Sequence, residues 1–304
     1  MRYLITALCC LTMFACSEKQ PATETPTSTE QTELATQDIA VASPALLDDI
    51  LAEQPLDVKA RYQYRNPKET LNFFGIKPGM KVLEVLPGGG WYSKILLPYL
   101  SSDSILLGAD YSMDMWPNFD FGTEAFIKER AGWPAQWQVD AAAWAGENGA
   151  PALGYTLTTI AAEHHGTLDA VLFIRALHNL SRFETQGQYL TSTLALSNTL
   201  LKDGGIVGVV QHQAAETRDD AWADGSRGYL KKSFVIAEFD KAGFDLVSET
   251  AINQNPKDVP GDDDIVWRLG PGFYTSGDDE AMKAKYAEIG ESNRMTLLFK
   301  KRAI

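Results

Sequence analysis

The sequence predicts an α/β domain in which a mostly parallel sheet of seven strands has helices on both faces. Two observations lead to this fold class. Short apolar runs typical of buried strands alternate with segments of helical spacing, and this alternation indicates a parallel sheet between two helical layers. The first run, at residues 81–86, also stops at a glycine-rich turn that leads directly into a helix-like segment.

The first residues of the chain resemble a secretion signal. Arg2 supplies a positive charge, and residues 3–14 are apolar but too few to span a bilayer as a mature helix. The sequence around Cys16 resembles a lipobox, which implies a signal peptide over residues 1–15 and a diacylated Cys16. Because Ser17 is not the aspartate of retained lipoproteins, an outer-membrane anchor facing the periplasm is implied. An ordinary signal peptide cut elsewhere is the alternative.

Composition divides the rest of the chain in two. Residues 16–44 are rich in Thr, Glu, Gln, Ser and Pro, which predicts a disordered tether before one domain at residues 45–304. All three cysteines precede that domain, so a disulfide, a thiolate metal site and a cysteine nucleophile are excluded from it. The net charge of −13 disfavours nucleic acid as a partner, because such binding needs a basic face.

Two helices are expected before the first strand, at residues 46–56 and 66–74. Asn66 takes the cap position of the second helix and Pro67 its first turn. The strand at residues 81–86 follows, and a helix at residues 93–100 comes after the turn.

The turn itself contains Gly88, Gly89 and Gly90. Glycine adopts backbone angles closed to other residues and lets a ligand approach the main chain, so a nucleotide-like ligand is expected here. A second apolar run ends at Asp110, where an acid can accept both hydroxyls of a ribose.

Glu84, the three glycines and Asp110 resemble the S-adenosylmethionine site of class I methyltransferases. The runs Pro87-Gly-Gly-Gly-Trp-Tyr and Arg175-Ala-Leu-His-Asn are similar to a bacterial group of predicted methyltransferases, over roughly residues 55–304. This resemblance implies a Rossmann-like fold and S-adenosylmethionine as the cofactor. The residues that it implies for cofactor binding are Glu84, Gly88, Gly89, Gly90 and Asp110. Trp91 and Tyr92 begin the helix after the turn, and we expect one of them to pack in the core and Tyr92 to line the cofactor pocket. Leu86 replaces the usual first glycine of the loop and narrows the space beside the methionine moiety.

The third strand has two candidates, residues 135–139 and residues 155–160. In the first case Asp140 would reach the adenine edge of the cofactor. In the second case the Trp-rich residues 115–144 would form an insertion over the pocket.

The remaining elements are strands at residues 168–174 and 205–210 with a helix at 188–201 between them, and then a helix at 234–242. The closing strands at residues 244–249 and 294–300 look like the hairpin with a reversed C-terminal strand that distinguishes the methyltransferase sheet from the dehydrogenase sheet.

Arg175, His178 and Asn179 follow the strand at residues 168–174 and are expected at the carboxyl edge of the sheet, where ligands bind. We interpret His178 as a general base, and Arg175 as the group that holds an anionic acceptor or the cofactor carboxylate. In the alternative interpretation, His178 and Asn179 only cap the next helix.

The expected function is therefore methyl transfer from S-adenosylmethionine to a small-molecule acceptor, by a protein that contacts a membrane only through its lipid anchor. One rival is a non-catalytic binding protein for a nucleoside-like ligand, which Leu86 favours. The other is a metal-dependent hydrolase that uses His178 and His212, to which Glu163, His164 and His165 could add ligands. Tyr64 and Arg65 are candidates for a segment that closes over the site.

Overall fold

The computed structural model describes residues 44–303. The predicted signal peptide, Cys16 and all but the last residue of the predicted tether lie outside the described residues. The helices are α1 (Pro44–Glu53), α2 (Leu56–Lys59), α3 (Tyr62–Arg65), α4 (Pro67–Phe74), α5 (Ser93–Leu100), α6 (Glu124–Arg130), α7 (Trp133–Ala145), α8 (Leu177–Arg182), α9 (Glu184–Gly187), α10 (Tyr189–Leu200), α11 (Lys232–Lys241) and α12 (Glu280–Ile289). The strands are β1 (Lys81–Val85), β2 (Ile105–Asp110), β3 (Ala152–Thr156), β4 (Leu168–Ile174), β5 (Leu201–Ala214), β6 (Leu230–Lys231), β7 (Phe244–Thr250) and β8 (Arg294–Lys301).

Seven strands form one sheet in the order β3-β2-β1-β4-β5-β8-β7, and the two-residue β6 pairs with the end of β5. The first five strands of this order pair in parallel, whereas β8 runs antiparallel to both β5 and β7. The predicted Rossmann-like sheet, mostly parallel with a reversed C-terminal strand, is confirmed.

Helices cover both faces of the sheet, and the strands supply a core to each. Successive side chains of a strand point to opposite faces. Val82 and Leu106 accordingly pack with α1, α4, α5 and α7, whereas Leu83 and Leu107 pack with α8, α10 and α11. The near-continuous apolar runs of β1 and β2 are explained by this burial on both faces.

One interpretation of the third strand is wrong. Residues 135–139 lie within helix α7, and the third strand is Ala152–Thr156. The sheet makes room for this helix, because a Cβ on Gly108 would lie 2.6 Å from the ring of Trp137, a residue of α7. Residues 135–139, which were a candidate for the third strand, are therefore part of a helix that covers the sheet.

The predicted cap position of Asn66 and the place of Pro67 in the first turn of α4 are confirmed. Asn66 lies at the cap position with φ of 39°, but its side chain makes no capping hydrogen bond. The amide instead donates to the carbonyl of Ile252, at 2.8 Å, and so ties the start of α4 to the chain after β7. Between residues 44 and 303, the chain has no helix of the length and apolarity that crossing a membrane requires.

Candidate functional site

A cavity of about 580 Å³ lies at the carboxyl ends of β1, β2, β4 and β5. This volume suits a small molecule, since ligand pockets usually measure roughly 300–1,000 Å³. Trp116, Arg130 and two late segments of the chain complete the wall. The residues near or after the strand ends that line the cavity are Glu84, Leu86, Pro87, Gly88, Gly89, Trp91, Tyr92, Asp110, Tyr111, Ile174, Arg175, His178, Asn179 and His212.

The turn after β1 leaves open space above its backbone. A Cβ on Gly88 or Gly89 would meet no atom within 4 Å. Gly90 differs, because a Cβ there would lie 2.3 Å from the ring of Trp144 and its φ is 73°. Gly88 and Gly89 therefore lie on the cavity wall, whereas Gly90 leaves room for Trp144 to pack against the turn.

Leu86 has a backbone conformation that favours glycine. Its φ is 56°, in the left-handed region that costs a leucine about 1–2 kcal/mol. Its side chain lines the cavity and packs against the same core as α8 and α10. The leucine side chain thus occupies space at the cavity wall beside the turn.

Glu84 lies at the bottom of the cavity and is only 3% exposed. Burial raises the pKa of its carboxyl group to about 7, although the hydroxyl of Ser93 donates a hydrogen bond to it that favours the ionised form. Glu84 is therefore a carboxyl group that changes its charge near neutral pH.

Asp110 ends β2 and forms an ion pair with Arg130. Burial raises the pKa of Asp110 and the arginine offsets this only in part. The guanidinium of Arg130 also lies 4.9 Å from the ring centre of Trp116 and 5.5 Å from that of Trp133. A ligand that uses Asp110 must therefore share this carboxylate with Arg130 or displace the arginine.

Arg175 follows β4 directly and has an unusual backbone. Its φ is 61°, and its amide donates to the carbonyl of Val210 on β5, at 2.6 Å. Its Nε atom is buried and has no hydrogen-bond partner among the described residues. Non-glycine residues in this region are strained, and such strain concentrates at functional sites. The hydrogen bond between the Arg175 amide and β5 thus fixes the backbone of a residue that lines the cavity and whose Nε is unpaired among the described residues.

His178 and His212 lie together in the cavity wall, with ring centres 5.4 Å apart. Gln211 donates to the carbonyl of Gly228, so its Oε1 accepts from Nδ1 of His178 at 3.4 Å. This leaves the lone pair on Nε2 of His178. Burial lowers the pKa of His178 to about 4 and holds that of His212 well below its usual value, so both rings are neutral at pH 7. The hydroxyl oxygen of Ser292 lies 2.6 Å from Nδ1 of His212.

A cluster of arginines surrounds Glu291 at one side of the cavity. Arg65 and Arg294 each lie 3.0 Å from its carboxylate, and Arg61 pairs with it as well. Burial raises the pKa of Glu291, but these cations and Arg175 outweigh it and hold the pKa at about 2. The carboxylate thereby connects the segment before α4 to the segment before β8.

The polar atoms of the cavity fit a polar ligand. Eight buried side-chain nitrogen and oxygen atoms of the described residues have no partner, and five of them belong to residues that line the cavity. Such atoms are costly unless a ligand or water satisfies them. With the open space over the glycine turn and Asp110 beside it, the wall fits a nucleoside-containing group such as S-adenosylmethionine. The five atoms are Nε1 of Trp91 and Trp116, Nε of Arg130 and Arg175, and Oδ1 of Asn179.

Two sets of predicted residues lie elsewhere. Asp140 is on α7, bonded by Gln136 at 2.9 Å, and is not part of the cavity wall, because the strand that would have carried it is a helix. Glu163 and His164 precede β4 whereas His178 follows it, and seven strand residues span roughly 20 Å. No group of three or more His, Cys, Asp or Glu that could hold a metal ion occurs within residues 44–303.

Sequence reasoning missed several residues of the site. Arg130 lies in the Trp-rich segment that was expected over the pocket, but its partner Asp110 could not be inferred. Glu291 lies between α12 and β8, and two of its partners, Arg61 and Arg65, are 230 and 226 residues away in the sequence. Tyr64 and Arg65 lie outside the wall, and Arg65 stacks on Trp91 of the wall at 4.6 Å.

No family model and no curated protein matches the chain. Among solved structures, it is similar to an S-adenosylmethionine-dependent methyltransferase from Aquifex aeolicus, with 13% identity, a TM-score of 0.46, and coverage of 86% of this chain and 99% of that one. It is also similar to the [4+2]-cyclase SpnF, with 12% identity, a TM-score of 0.44, and coverage of 79% and 81%. An arsenic(III) S-adenosylmethionine methyltransferase from Chlamydomonas reinhardtii shows 11% identity, a TM-score of 0.42, and coverage of 86% and 75%. These likenesses concern the fold alone, and a function has to be inferred from the cavity.

Proposed function

We propose that this protein transfers a methyl group from S-adenosylmethionine to a small-molecule acceptor. The observation that supports this most strongly is the pairing of β1 with β2. The strands pair in parallel from Lys81 opposite Ile105 to Val85 opposite Ala109. The open glycine turn after β1 and the acid that ends β2 therefore lie side by side on one cavity wall.

Five residues of this wall have a role in holding the cofactor in the proposed reaction. When bound, S-adenosylmethionine supplies a sulfonium-activated methyl group. Gly88 and Gly89 hold the cofactor against the main chain, and Asp110 accepts hydrogen bonds from the ribose hydroxyls. Glu84 and Tyr92 close the bottom of the cavity beneath it.

His178 accepts the proton that the acceptor loses. Its neutral ring has a lone pair on Nε2, as a general base requires. The lone pair of the acceptor would form the new bond to the methyl carbon while the methyl–sulfur bond breaks, and the electron pair of that bond would go to sulfur, leaving S-adenosylhomocysteine. The proton of the O–H or N–H group of the acceptor passes to Nε2. Positioning supplies the rest of the acceleration, because methyl transfer needs the acceptor aligned with the methyl group.

Titration calorimetry with S-adenosylmethionine and S-adenosylhomocysteine tests the proposal. Asp110→Asn should weaken binding of both at least tenfold, since each charge-assisted hydrogen bond contributes roughly 1.5–3 kcal/mol. Asp140→Asn is the matched control, because Asp140 lies off the cavity wall, and should bind like the wild type. The proposal fails if the wild-type protein binds neither compound, or if Asp110→Asn binds both as tightly as Asp140→Asn.

Leu86 supports a second candidate, a protein that binds a nucleoside-like ligand without catalysis. Its side chain occupies cavity space beside the turn. If this is the function, adenosine should bind at least as tightly as S-adenosylmethionine, and Leu86→Gly should raise the affinity for S-adenosylmethionine. Methyl transfer by the wild-type protein would exclude this candidate.

We propose further that the protein belongs to the bacterial methyltransferase group with the Pro-Gly-Gly-Gly-Trp-Tyr turn. Its proposed location is the periplasmic face of the outer membrane, where Cys16 holds it by a lipid anchor. The motif at residues 87–92 supports the first proposal, and the lipobox-like sequence before Cys16 supports the second.

A further inference from the structure

The cluster of arginines around Glu291, at one side of the cavity, has a local excess of positive charge. Arg61, Arg65 and Arg294 pair with Glu291, and the charge of Arg175 acts on the same carboxylate. Four guanidinium groups therefore share one acid. The whole chain carries a net charge of −13, so this excess runs against the overall composition.

Neither of the other two carboxylates in the wall compensates this excess. Asp110 is already paired with Arg130. Glu84 is protonated in part at neutral pH, and its contact in the structure is with the hydroxyl of Ser93. The positive charge that remains is available to an anion from outside the protein.

Arg175 is the member of the cluster that is free to bind such an anion. Within residues 44–303, its guanidinium makes no hydrogen bond or ion pair, and its buried Nε has no partner. By contrast, Arg65 and Arg294 point their guanidinium groups at Glu291. A planar guanidinium binds a carboxylate or phosphate through two parallel hydrogen bonds.

Two hydrogen-bond acceptors lie close to Arg175 along the chain. Asn179 donates to the hydroxyl of Tyr111 at 2.8 Å, and its own Oδ1 is buried and has no partner among the residues that the structure describes. His178 has its lone pair on Nε2. The same wall thus offers a cation for an anionic group, and acceptors for an O–H or N–H group beside it.

We propose that Arg175 binds a carboxylate or phosphate group of the methyl acceptor, while Asn179 and His178 accept hydrogen bonds from its hydroxyl or amino group. The acceptor class is then small hydroxy or amino acids and their phosphate counterparts. This inference rests on the proposed function, because it assigns the acceptor half of the same cavity.

The carboxylate of S-adenosylmethionine is the other anion that Arg175 could bind. Two ligands distinguish this carboxylate from an anionic group of the acceptor. S-adenosylhomocysteine carries the amino-carboxylate group, whereas 5′-methylthioadenosine has the same nucleoside and thioether without it. Affinities of both are measured for the full chain, for Arg175→Gln, and for Arg302→Gln as the control. Arg302 is an exposed arginine with no contact to the cavity.

The anion site is then probed with inorganic phosphate and with lactate, on protein saturated with S-adenosylhomocysteine. We expect Arg175→Gln to weaken both probes roughly 10- to 100-fold and to change the affinity for S-adenosylhomocysteine less than about threefold. Arg302→Gln should behave like the wild type. Arg175→Lys, which keeps the charge, should retain part of the probe affinity and serves if the Gln variant does not fold.

Two results would overturn the inference. If Arg175→Gln weakens S-adenosylhomocysteine but not 5′-methylthioadenosine, Arg175 binds the cofactor carboxylate. If phosphate and lactate bind both Arg175 variants as they bind the wild type, or bind none of the proteins, there is no anion site at Arg175. Failure of the proposed function gives a different result, because the wild-type protein then binds neither nucleoside compound. In that case, the affinities for phosphate and lactate are measured on the protein without a nucleoside ligand.

Discussion

The hydroxyl of Ser93 donates a hydrogen bond of 2.6 Å to the carboxylate of Glu84. The bond joins the first residue of α5 to the interior of β1, across the glycine turn between them. It favours the ionised carboxylate, but burial disfavours it more strongly and raises the pKa of Glu84 to about 7. The turn is therefore flanked by an acid whose charge changes near physiological pH.

Glu84→Gln should change how stability depends on pH. In the wild type the pKa rises from 4.5 unfolded to about 7 folded, so Glu84 stabilises the fold below pH 4.5 and this contribution is lost as pH rises through 7. The loss amounts to roughly 3 kcal/mol. The stability of the variant relative to the wild type should therefore increase with pH, as measured by urea unfolding at about pH 5 and about pH 8.

Glu147→Gln is the control for this experiment, because Glu147 is exposed and its removal should leave the pH profile unchanged. A profile for Glu84→Gln that is parallel to the wild type would show that Glu84 is ionised throughout this range.

Gly89→Ala should weaken ligand binding, whereas Gly90→Ala should lower the stability of the fold. A Cβ on Gly89 points into open space, so the variant should fold normally but lose affinity for S-adenosylhomocysteine at least tenfold, because the methyl group fills the ligand's place. A Cβ on Gly90 would clash with Trp144 and φ is 73°, so that variant should lose at least about 2 kcal/mol of stability. Thermal unfolding and calorimetry measure the two effects, and equal destabilisation by both substitutions would contradict the assignment.

The sequence allowed most of the sheet to be predicted, because β1, β2 and β4 are buried along most of their length and therefore consist of short apolar runs. The run that became β4 and the helix that became α5 have the predicted bounds. The third strand was ambiguous for a tertiary reason: Trp137 packs where Gly108 leaves room on the sheet, and no local pattern shows that pairing.

The site was predictable only where strand ends define it. Asp110 and His178 reach the cavity because each lies at or just after the end of a parallel strand. Arg130 and Glu291 come from segments between or after the strands, and Glu291 meets Arg61 across 230 residues. Such contacts depend on how loops cross the sheet edge, and a single sequence carries little information about that course.

Glu291→Gln should be strongly destabilising. Its carboxylate is 4% exposed and pairs with Arg61, Arg65 and Arg294, so neutralisation leaves buried cations without a counterion. Breaking a buried pair from one side costs about 3–5 kcal/mol. Urea unfolding measures the loss, and the exposed Glu288→Gln should change stability by less than about 0.5 kcal/mol. A loss below about 1 kcal/mol for Glu291→Gln would show that the cluster does not hold the fold.

Cys16→Ser should release the protein from the membrane fraction or leave it unprocessed, because a diacylated cysteine is the proposed anchor. Mass spectrometry of the mature N-terminus and cell fractionation measure this. Cys10→Ser is the control, since Cys10 lies inside the predicted signal peptide, and should leave the anchor intact. Wild-type protein recovered in the soluble fraction, with an unmodified N-terminus at another residue, would contradict the proposal.

His178→Gln should reduce turnover roughly 10²- to 10⁴-fold, since a general base contributes about that much. The glutamine amide can still donate to Gln211, so we expect a stability loss of no more than about 1–2 kcal/mol. The wild-type rate should also hold down to about pH 5, because the pKa of His178 is about 4 and the base stays unprotonated. His164→Gln is the control: it removes a buried histidine at the far end of β4 that bonds Tyr155, and should cost stability without slowing turnover. If His178→Gln turns over like His164→Gln, or if the wild-type rate falls with an apparent pKa near 6.5, His178 is not the base.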